Sequence, residues 1–465
     1  MTSPVTSAHL MDLFRRPDSG VTERIEAGIR QNRQGRLILR FEDAEGRPAE
    51  GVRCTVRQTG HDFLFGANLF MLDGFDTGEK NRAYERAFLD VFNSGVIPFY
   101  WSDLEPRRGQ MRFAAGSVRI PRRPPPDAVL AFCEQHGLVP KGHCLVWHQW
   151  VPKWLPENQD AAALLLEERI LAIGRRYGQR IPLWDVVNEP MEKHLFPKMT
   201  SFPADYVKEA FDAAETALPS SAKCFLNEAT AFSWREFHGE TTGLRLLVEN
   251  LLLKGAKIDG IGLQYHLFFY DRSGLATSVR HLAENRDVHL NPQRLLDVLD
   301  LHARLGLPVH ISEITLPTYS DIDDAEDFQA DMLRELYRLW FSHAAVEGIY
   351  WWNLADGGGH GRESELRAGL LRADLSPKPS YAMLRRLIRE EWTTAFTVAP
   401  EGAEHAFDGF YGDYEITTEW RGARLTLRVG LHHDTPREII LPVVGTHSAG
   451  YAGETEKTAA ETLFT

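Results

Sequence analysis

Two glutamates stand where acid–base chemistry could be done. Glu189 follows the run Leu183-Trp184-Asp185-Val186-Val187-Asn188, and Glu313 closes the run Val309-His310-Ile311-Ser312. Each run is short, apolar and rich in β-branched residues, which predicts a strand buried on both faces with a carboxylate at its carboxyl end. If both strands belong to one parallel barrel, the two carboxylates share the rim at which such barrels place their chemistry. A pair of carboxylic acids suits hydrolysis of a glycosidic bond, one protonating the leaving oxygen while the other attacks the sugar carbon or activates water. A separation of roughly 5–5.5 Å gives retention of configuration and about 6.5–9.5 Å gives inversion.

Other polar residues recur at the ends of predicted strands. They are His143, Trp147 and His148, then Asn227 and Glu228, Gln264 and His266, and finally Trp352 and Asp356. Each alone has a plain structural explanation: a core histidine with its hydrogen bonds satisfied, a packing tryptophan, an aspartate capping a turn. A barrel needs no polar residues there for stability, so their recurrence points to a site. A metal centre is disfavoured, because His143 and His148 would face opposite sides of a continuous strand and no carboxylate follows at ligand spacing. Neither a metal nor an organic cofactor is expected.

The elements that must hold these residues alternate. Strands are predicted at Phe63 to Asn68, Val96 to Trp101, Val139 to Trp147, Leu183 to Asn188, Lys223 to Asn227, Ile258 to Gln264, Val309 to Glu313 and Gly348 to Asn353. Amphipathic helices separate them, among them Glu79 to Phe92, Ala161 to Tyr177, Asn291 to Leu305 and Glu326 to His343. Eight β-α units in succession point to an α/β chain folded as a closed (β/α)8 TIM barrel. An open doubly wound sheet is the alternative, but no Gly-rich phosphate loop follows the first strand. The proline-rich segment Pro121 to Pro126 is expected to run extended over the rim, and the long stretch Leu267 to Val288 to wall one side of a cleft.

Outside the barrel, Arg36 to Glu42 and Val52 to Gln58 read as a hairpin or near-hairpin. Two strands alone are marginal, and the other helix-free region is the tail, with strands at Tyr414 to Trp420, Arg424 to Val429 and Arg437 to Val443. The two ends are therefore expected to meet in a small accessory β-sandwich. The division is residues 1–60 (lead-in helix and first accessory strands), 61–393 (barrel) and 394–465 (remaining accessory strands). A structural brace is favoured over a carbohydrate-binding module.

The 465 residues are 43% hydrophobic and carry a formal net charge of −13. That balance argues against nucleic acid or an anionic membrane as partner and leaves a neutral carbohydrate open. The first twenty residues do not read as a secretory signal, and the four cysteines show no CxxC spacing. A cytoplasmic location is expected, or a secreted one if a leader has been removed. The sequence sets no oligomeric state.

The segments WDVVNEP at 184–190, GHCLVWHQWVPKWL at 142–155, GIGLQYHL at 260–267, HISEIT at 310–315 and KPSY at 378–381 together resemble glycoside hydrolase family 10, the retaining β-1,4-xylanases, over roughly residues 60–390. The resemblance implies that Glu189 is the acid/base and Glu313 the nucleophile of a double displacement. It further implies that Asn188 holds the sugar 2-hydroxyl, that His148 and Gln264 line the same subsite, and that His266 bonds the nucleophile. His143, Trp147, Trp154, Trp352 and Tyr100 are the remaining expected substrate contacts. Three departures stand out. Where the family has Glu-Asn-x-x-Lys after the second strand this chain has Val96-Ile97-Pro98-Phe99-Tyr100-Trp101, Thr315 replaces an Asp, and Gly357 to Gly361 replaces a segment bearing a second Trp. The expected substrate is thus a xylo-oligosaccharide or related short oligosaccharide, bound by stacking on an aromatic wall. A non-xylan glycan or glycoconjugate is the first alternative, and a non-catalytic carbohydrate-binding barrel the second.

Overall fold

The computed structural model describes residues 5–16, 20–195, 202–271, 274–276 and 278–443. The described chain forms two compact units. One comprises the residues up to Asn32 together with Leu64–Glu390, and the other comprises Arg33–Phe63 and the residues from Glu391 onward.

In the smaller unit the strands are β1 (Gln34–Glu42) and β2 (Arg53–Gln58) from the first part of the chain. In the larger unit they are β3 (Leu64–Asn68), β4 (Ser94–Pro98), β5 (Val139–Trp147), β6 (Leu183–Asn188), β7 (Lys223–Glu228), β8 (Gly260–His266), a small hairpin of β9 (Phe269–Asp271) and β10 (Gly274–Ala276), then β11 (Val309–Thr315) and β12 (Val346–Trp351). The smaller unit is completed by β13 (Ala395–Val398), β14 (Glu404–Phe410), β15 (Gly412–Trp420), β16 (Ala423–Leu431) and β17 (Glu438–Pro442).

The eight strands β3 to β8, β11 and β12 close into a parallel barrel. Every residue of β6 and β11 is buried, as unbroken apolar runs require in a sheet covered on both faces. The ladders slip near the carboxyl ends of β5, β6 and β11, between His143 and Val146, between Asp185 and Val187, and between Ile311 and Glu313. Such irregularities re-aim the side chains that follow them. The helices start where sequence signals them, with Thr77, Asn158, Thr242 and Asn291 accepting a backbone N–H from the first turn.

Two expectations are corrected here. The second barrel strand stops at Pro98, and Trp101 opens a helical turn, Trp101–Leu104, instead of ending the strand. Phe99, Tyr100 and Trp101 then bury in separate places. The lead-in helix, Val21–Arg33, belongs to the barrel unit: Val21, Ile25 and Ile29 are buried, and a Cβ at Gly28 would lie 2.5 Å from the Ser342 carbonyl oxygen. The stretch after β8 holds the β9–β10 hairpin and the helix Val279–Glu284, and its Phe268 lines the cavity described below. Its residues 272, 273 and 277 lie outside the described part.

In the smaller unit both ends of the chain enter both sheets, ordered β14-β1-β17 and β13-β2-β15-β16. The expected hairpin of the first two strands does not form. Leu37, Leu39 and Phe41 of β1 and Val52, Cys54 and Val56 around β2 join one core from opposite sheets, so the connection between them crosses the sandwich. Strands β13 and β14 were not anticipated. Their alternation is weak, and β13 is a four-residue edge paired only with β2.

Candidate active site

The carboxyl ends of β4 to β8, β11 and β12 surround a cavity of about 590 Å³. On its floor, Gln264 at the end of β8 donates through Nε2 to Glu189 Oε1 at 2.9 Å and to Glu313 Oε1 at 3.1 Å. Two bonds through one nitrogen hold those oxygens no more than about 6 Å apart, below the about 6.5 Å at which inverting separations begin. Asn227 at the end of β7 donates through Nδ2 to Glu313 Oε1 (2.8 Å) and to Asn188 Oδ1 (2.7 Å), and its own Oδ1 accepts from the Ser312 hydroxyl. His266 Nε2 lies 3.3 Å from Glu313 Oε2. Its Nδ1 is paired with the Thr315 hydroxyl at 2.8 Å, so the residue that replaces Asp still orients the ring, through a neutral partner.

Glu189 itself adopts φ 52, a left-handed conformation that non-glycine residues rarely take. Its N–H donates to the Asn227 carbonyl at 2.8 Å, which holds the strand end in that turn. Withdrawal from water, then the charge of Glu192, then that of Glu313 push the Glu189 carboxyl well above the usual range. Burial therefore outweighs the charge of the neighbouring carboxylates. Glu192 is also raised, chiefly by burial, and accepts from Gln149 Nε2 at 2.8 Å.

Behind Glu313, Asp185 accepts from His143 Nδ1 at 2.9 Å and pairs with Lys141 at 2.9 Å, all three being buried. His143 Nε2 faces Glu313 Oε1 at 3.8 Å. The Asp185 carboxyl is held below its ordinary range, Lys141 and His143 outweighing burial.

Of the expected contacts, Asn188, Gln264, His266, Trp147, Trp352, Tyr100 and His143 line the cavity with the two glutamates. His148 and Trp154 do not. His148 is fully buried, and Trp154 donates to the Glu105 carbonyl at 2.9 Å with its ring edge-on to Trp101. The expected aromatic wall reduces to Tyr100: Phe99 is buried between Tyr177 and Trp184, and Trp101 stacks on Phe202. Glu228 accepts from the N–H groups of Met191 and Ala229, and burial raises it to about 8. Asp356 pairs with Lys378 at 2.8 Å away from the glutamates.

Sequence reasoning missed Trp150, Glu192, Arg122 and Arg123, all of which line the cavity. Trp150 stacks on Trp147 (5.3 Å, 8°) and donates to Asp103 at 2.7 Å. The proline-rich segment does not merely cross the rim: it folds Arg123 over the Tyr100 ring at 4.0 Å. The pattern WHQW and the spacing of Glu192 three residues after Glu189 were the available signals.

A model of glycosyl hydrolase family 10 matches residues 99–387. Among curated relatives, the anti-sigma-I factor RsgI6 of Acetivibrio thermocellus is 24% identical over 409 residues, covering 86% of this chain, which in turn spans 47% of that relative. Endo-1,4-beta-xylanase B of Thermotoga neapolitana is 23% identical, with 63% of this chain and 78% of the relative covered. Xylanase 10B of Thermotoga petrophila RKU-1, solved in complex with xylobiose, superposes with a TM-score of 0.54 at 21% identity, over 71% of this chain and 95% of that one. That likeness is one of fold.

Proposed function

From the premise that the chain belongs to glycosyl hydrolase family 10 and is a glycoside hydrolase, we propose that it cleaves β-1,4-linked xylo-oligosaccharides with retention, Glu313 acting as nucleophile and Glu189 as acid/base. The observation that supports this reading is the Gln264 bridge, which holds one oxygen of each carboxyl no more than about 6 Å apart, short of the inverting range. The xylan type of substrate is carried over from the activity named for the Thermotoga neapolitana relative.

In the first step a Glu313 oxygen bonds to the anomeric carbon as the bond to the leaving oxygen breaks. That oxygen takes the proton of Glu189, whose carboxyl is raised well above its ordinary range by burial and the neighbouring carboxylates. In the second step water attacks the same carbon, its proton passes to the Glu189 carboxylate, and Glu313 leaves. Asn227, Gln264 and His266 hold the attacking carboxylate in place. Asn188, fixed by Asn227, is set for the 2-hydroxyl of the sugar under attack. Tyr100, Trp147, Trp150 and Trp352 supply ring faces, and His143 a polar contact beside Glu313. The crowding around Tyr100 favours short oligosaccharides over polymeric xylan.

The test is Glu313→Ala assayed on activated aryl glycosides with and without azide. Activity is expected to fall by several orders of magnitude, about the scale of removing a covalent nucleophile, and azide should restore turnover by giving a glycosyl azide of inverted configuration. Hydrolysis at the wild-type rate by Glu313→Ala would overturn the assignment.

A further inference from the structure

Two consecutive arginines line the cavity, and among the described residues only one has a carboxylate partner. Arg123 donates through Nε to Asp103 Oδ2 at 2.9 Å and stacks on Tyr100. Arg122 makes only neutral bonds, from Nε to the Gly358 carbonyl and from Nη2 to Asn353 Oδ1 at 2.9 Å. Among the described residues its guanidinium has no carboxylate within ion-pair distance, and its Nη1 has no acceptor. Burial and the charge of Arg123 lower its pKa to about 10, which still leaves it cationic at neutral pH. Glu363, on the same cavity wall, acts on it from beyond ion-pair range.

The backbone holds this charge in place. Arg122 has φ 59, in the left-handed region. It stands between Pro121 and the run Pro124-Pro125-Pro126, whose fixed φ angles limit relaxation. Non-glycine residues held this way mark positions where the surrounding fold fixes a functional side chain. Short steps connect the arginines to the glutamates: Arg123 lies on Tyr100, the Tyr100 and His143 rings are 5.5 Å apart, and His143 reaches Glu313 at 3.8 Å. Arg122, Glu189 and Glu313 line one cavity, so an oligosaccharide lying along it can meet the arginine and the glutamates together.

A guanidinium with an open edge matches a planar two-oxygen anion, and an uncompensated cation in a partly dry cleft gains most from such a partner. Among sugars the planar anion is the carboxylate of a uronic acid. We propose that Arg122 forms an anionic subsite of the cleft and selects oligosaccharides carrying a uronic acid unit. This rests on the glycosidase reading and narrows its substrate class.

The test compares kcat/KM on a neutral xylo-oligosaccharide and on the same backbone bearing one glucuronic acid, with aryl β-xylosides monitoring turnover. Wild type is expected to favour the acidic substrate by about ten-fold or more, the scale of one charge-assisted hydrogen bond. Arg122→Gln should bring that ratio close to one, and Arg122→Lys, which keeps the charge without the fork, should retain part of it. Arg122→Lys also carries the test if the glutamine variant does not fold. A wild-type ratio near one, a ratio untouched by Arg122→Gln, or equal competition by inorganic phosphate and by free glucuronic acid would overturn the subsite. Should aryl glycosides not be hydrolysed either, the glycosidase reading fails separately. Calorimetric binding of the two oligosaccharides then decides, preference for the acidic one supporting the subsite and equal binding refuting it.

Discussion

Glu192 acts on Glu189 more strongly than Glu313 does, because the tight turn Pro190–Leu195 brings it into the same cavity, where water screens it poorly. Glu189, the proposed acid/base, and Glu192 therefore titrate together, and each proton is lost in a step that belongs to both groups. Removing one negative charge makes ionisation of the other easier, so Glu192→Gln is expected to move the alkaline limb of the kcat pH profile to lower pH. A limb that stays in place or moves upward would show that Glu192 does not bear on the acid. At this scale the sequence was informative where a residue ends a strand: Glu189, Glu313, Asn188, Gln264 and His266 could be read because an apolar run stops abruptly at each. Glu192, Trp150, Arg122 and Arg123 lie in loops, whose side chains take positions that no period announces. His148 and Trp154 show the converse, since the motif that named them says nothing of which side chains reach the cavity.

The barrel strands position the site through what they omit as well as what they present. Gly262 on β8 leaves room for the bond between Ser312 of β11 and Asn227 of β7: a Cβ there would lie 2.2 Å from Asn227 Oδ1 and 3.0 Å from Ser312 Oγ. Gly262→Ala is therefore expected to push Asn227 away from Glu313. The loss in kcat should be about a hundred-fold, the scale of an ångström-sized misplacement, with a stability cost of ~1–3 kcal/mol from overpacking. Kinetics combined with urea unfolding separate the two, and unchanged kcat in a folded variant would remove Asn227 from the positioning chain. The eight barrel strands were legible because parallel strands buried on both faces read as apolar runs. The boundary at Pro98 was not, since three aromatics prolonged the apolar run past the point where the chain turns. The crossing of β1 and β2 into different sheets was hidden for a similar reason: strand partners depend on distant residues, and either pairing buries the same alternating face.

At the level of the whole chain, the sandwich has a core of its own, with Leu37, Leu39, Val56, Tyr414 and Ile416 at its centre. Ile416→Ala should cost that unit ~2–5 kcal/mol, detected as faster amide hydrogen exchange in β1, β2 and β15. Unchanged exchange in all three strands would contradict the packing described. The net charge of −13 repels an acidic glycan at long range, so the proposed selection rests on the local charge of Arg122 in the cleft. No helix among the described residues is long and apolar enough to cross a membrane. The proposed double displacement, by two carboxyl groups that Gln264 holds close, retains configuration. Proton NMR of the anomeric signals during the first minutes of hydrolysis of a β-linked xylo-oligosaccharide tests it most directly. The β-anomer of the new reducing end should appear first and the α-anomer grow in only by mutarotation, whereas an α-anomer appearing first would rule retention out.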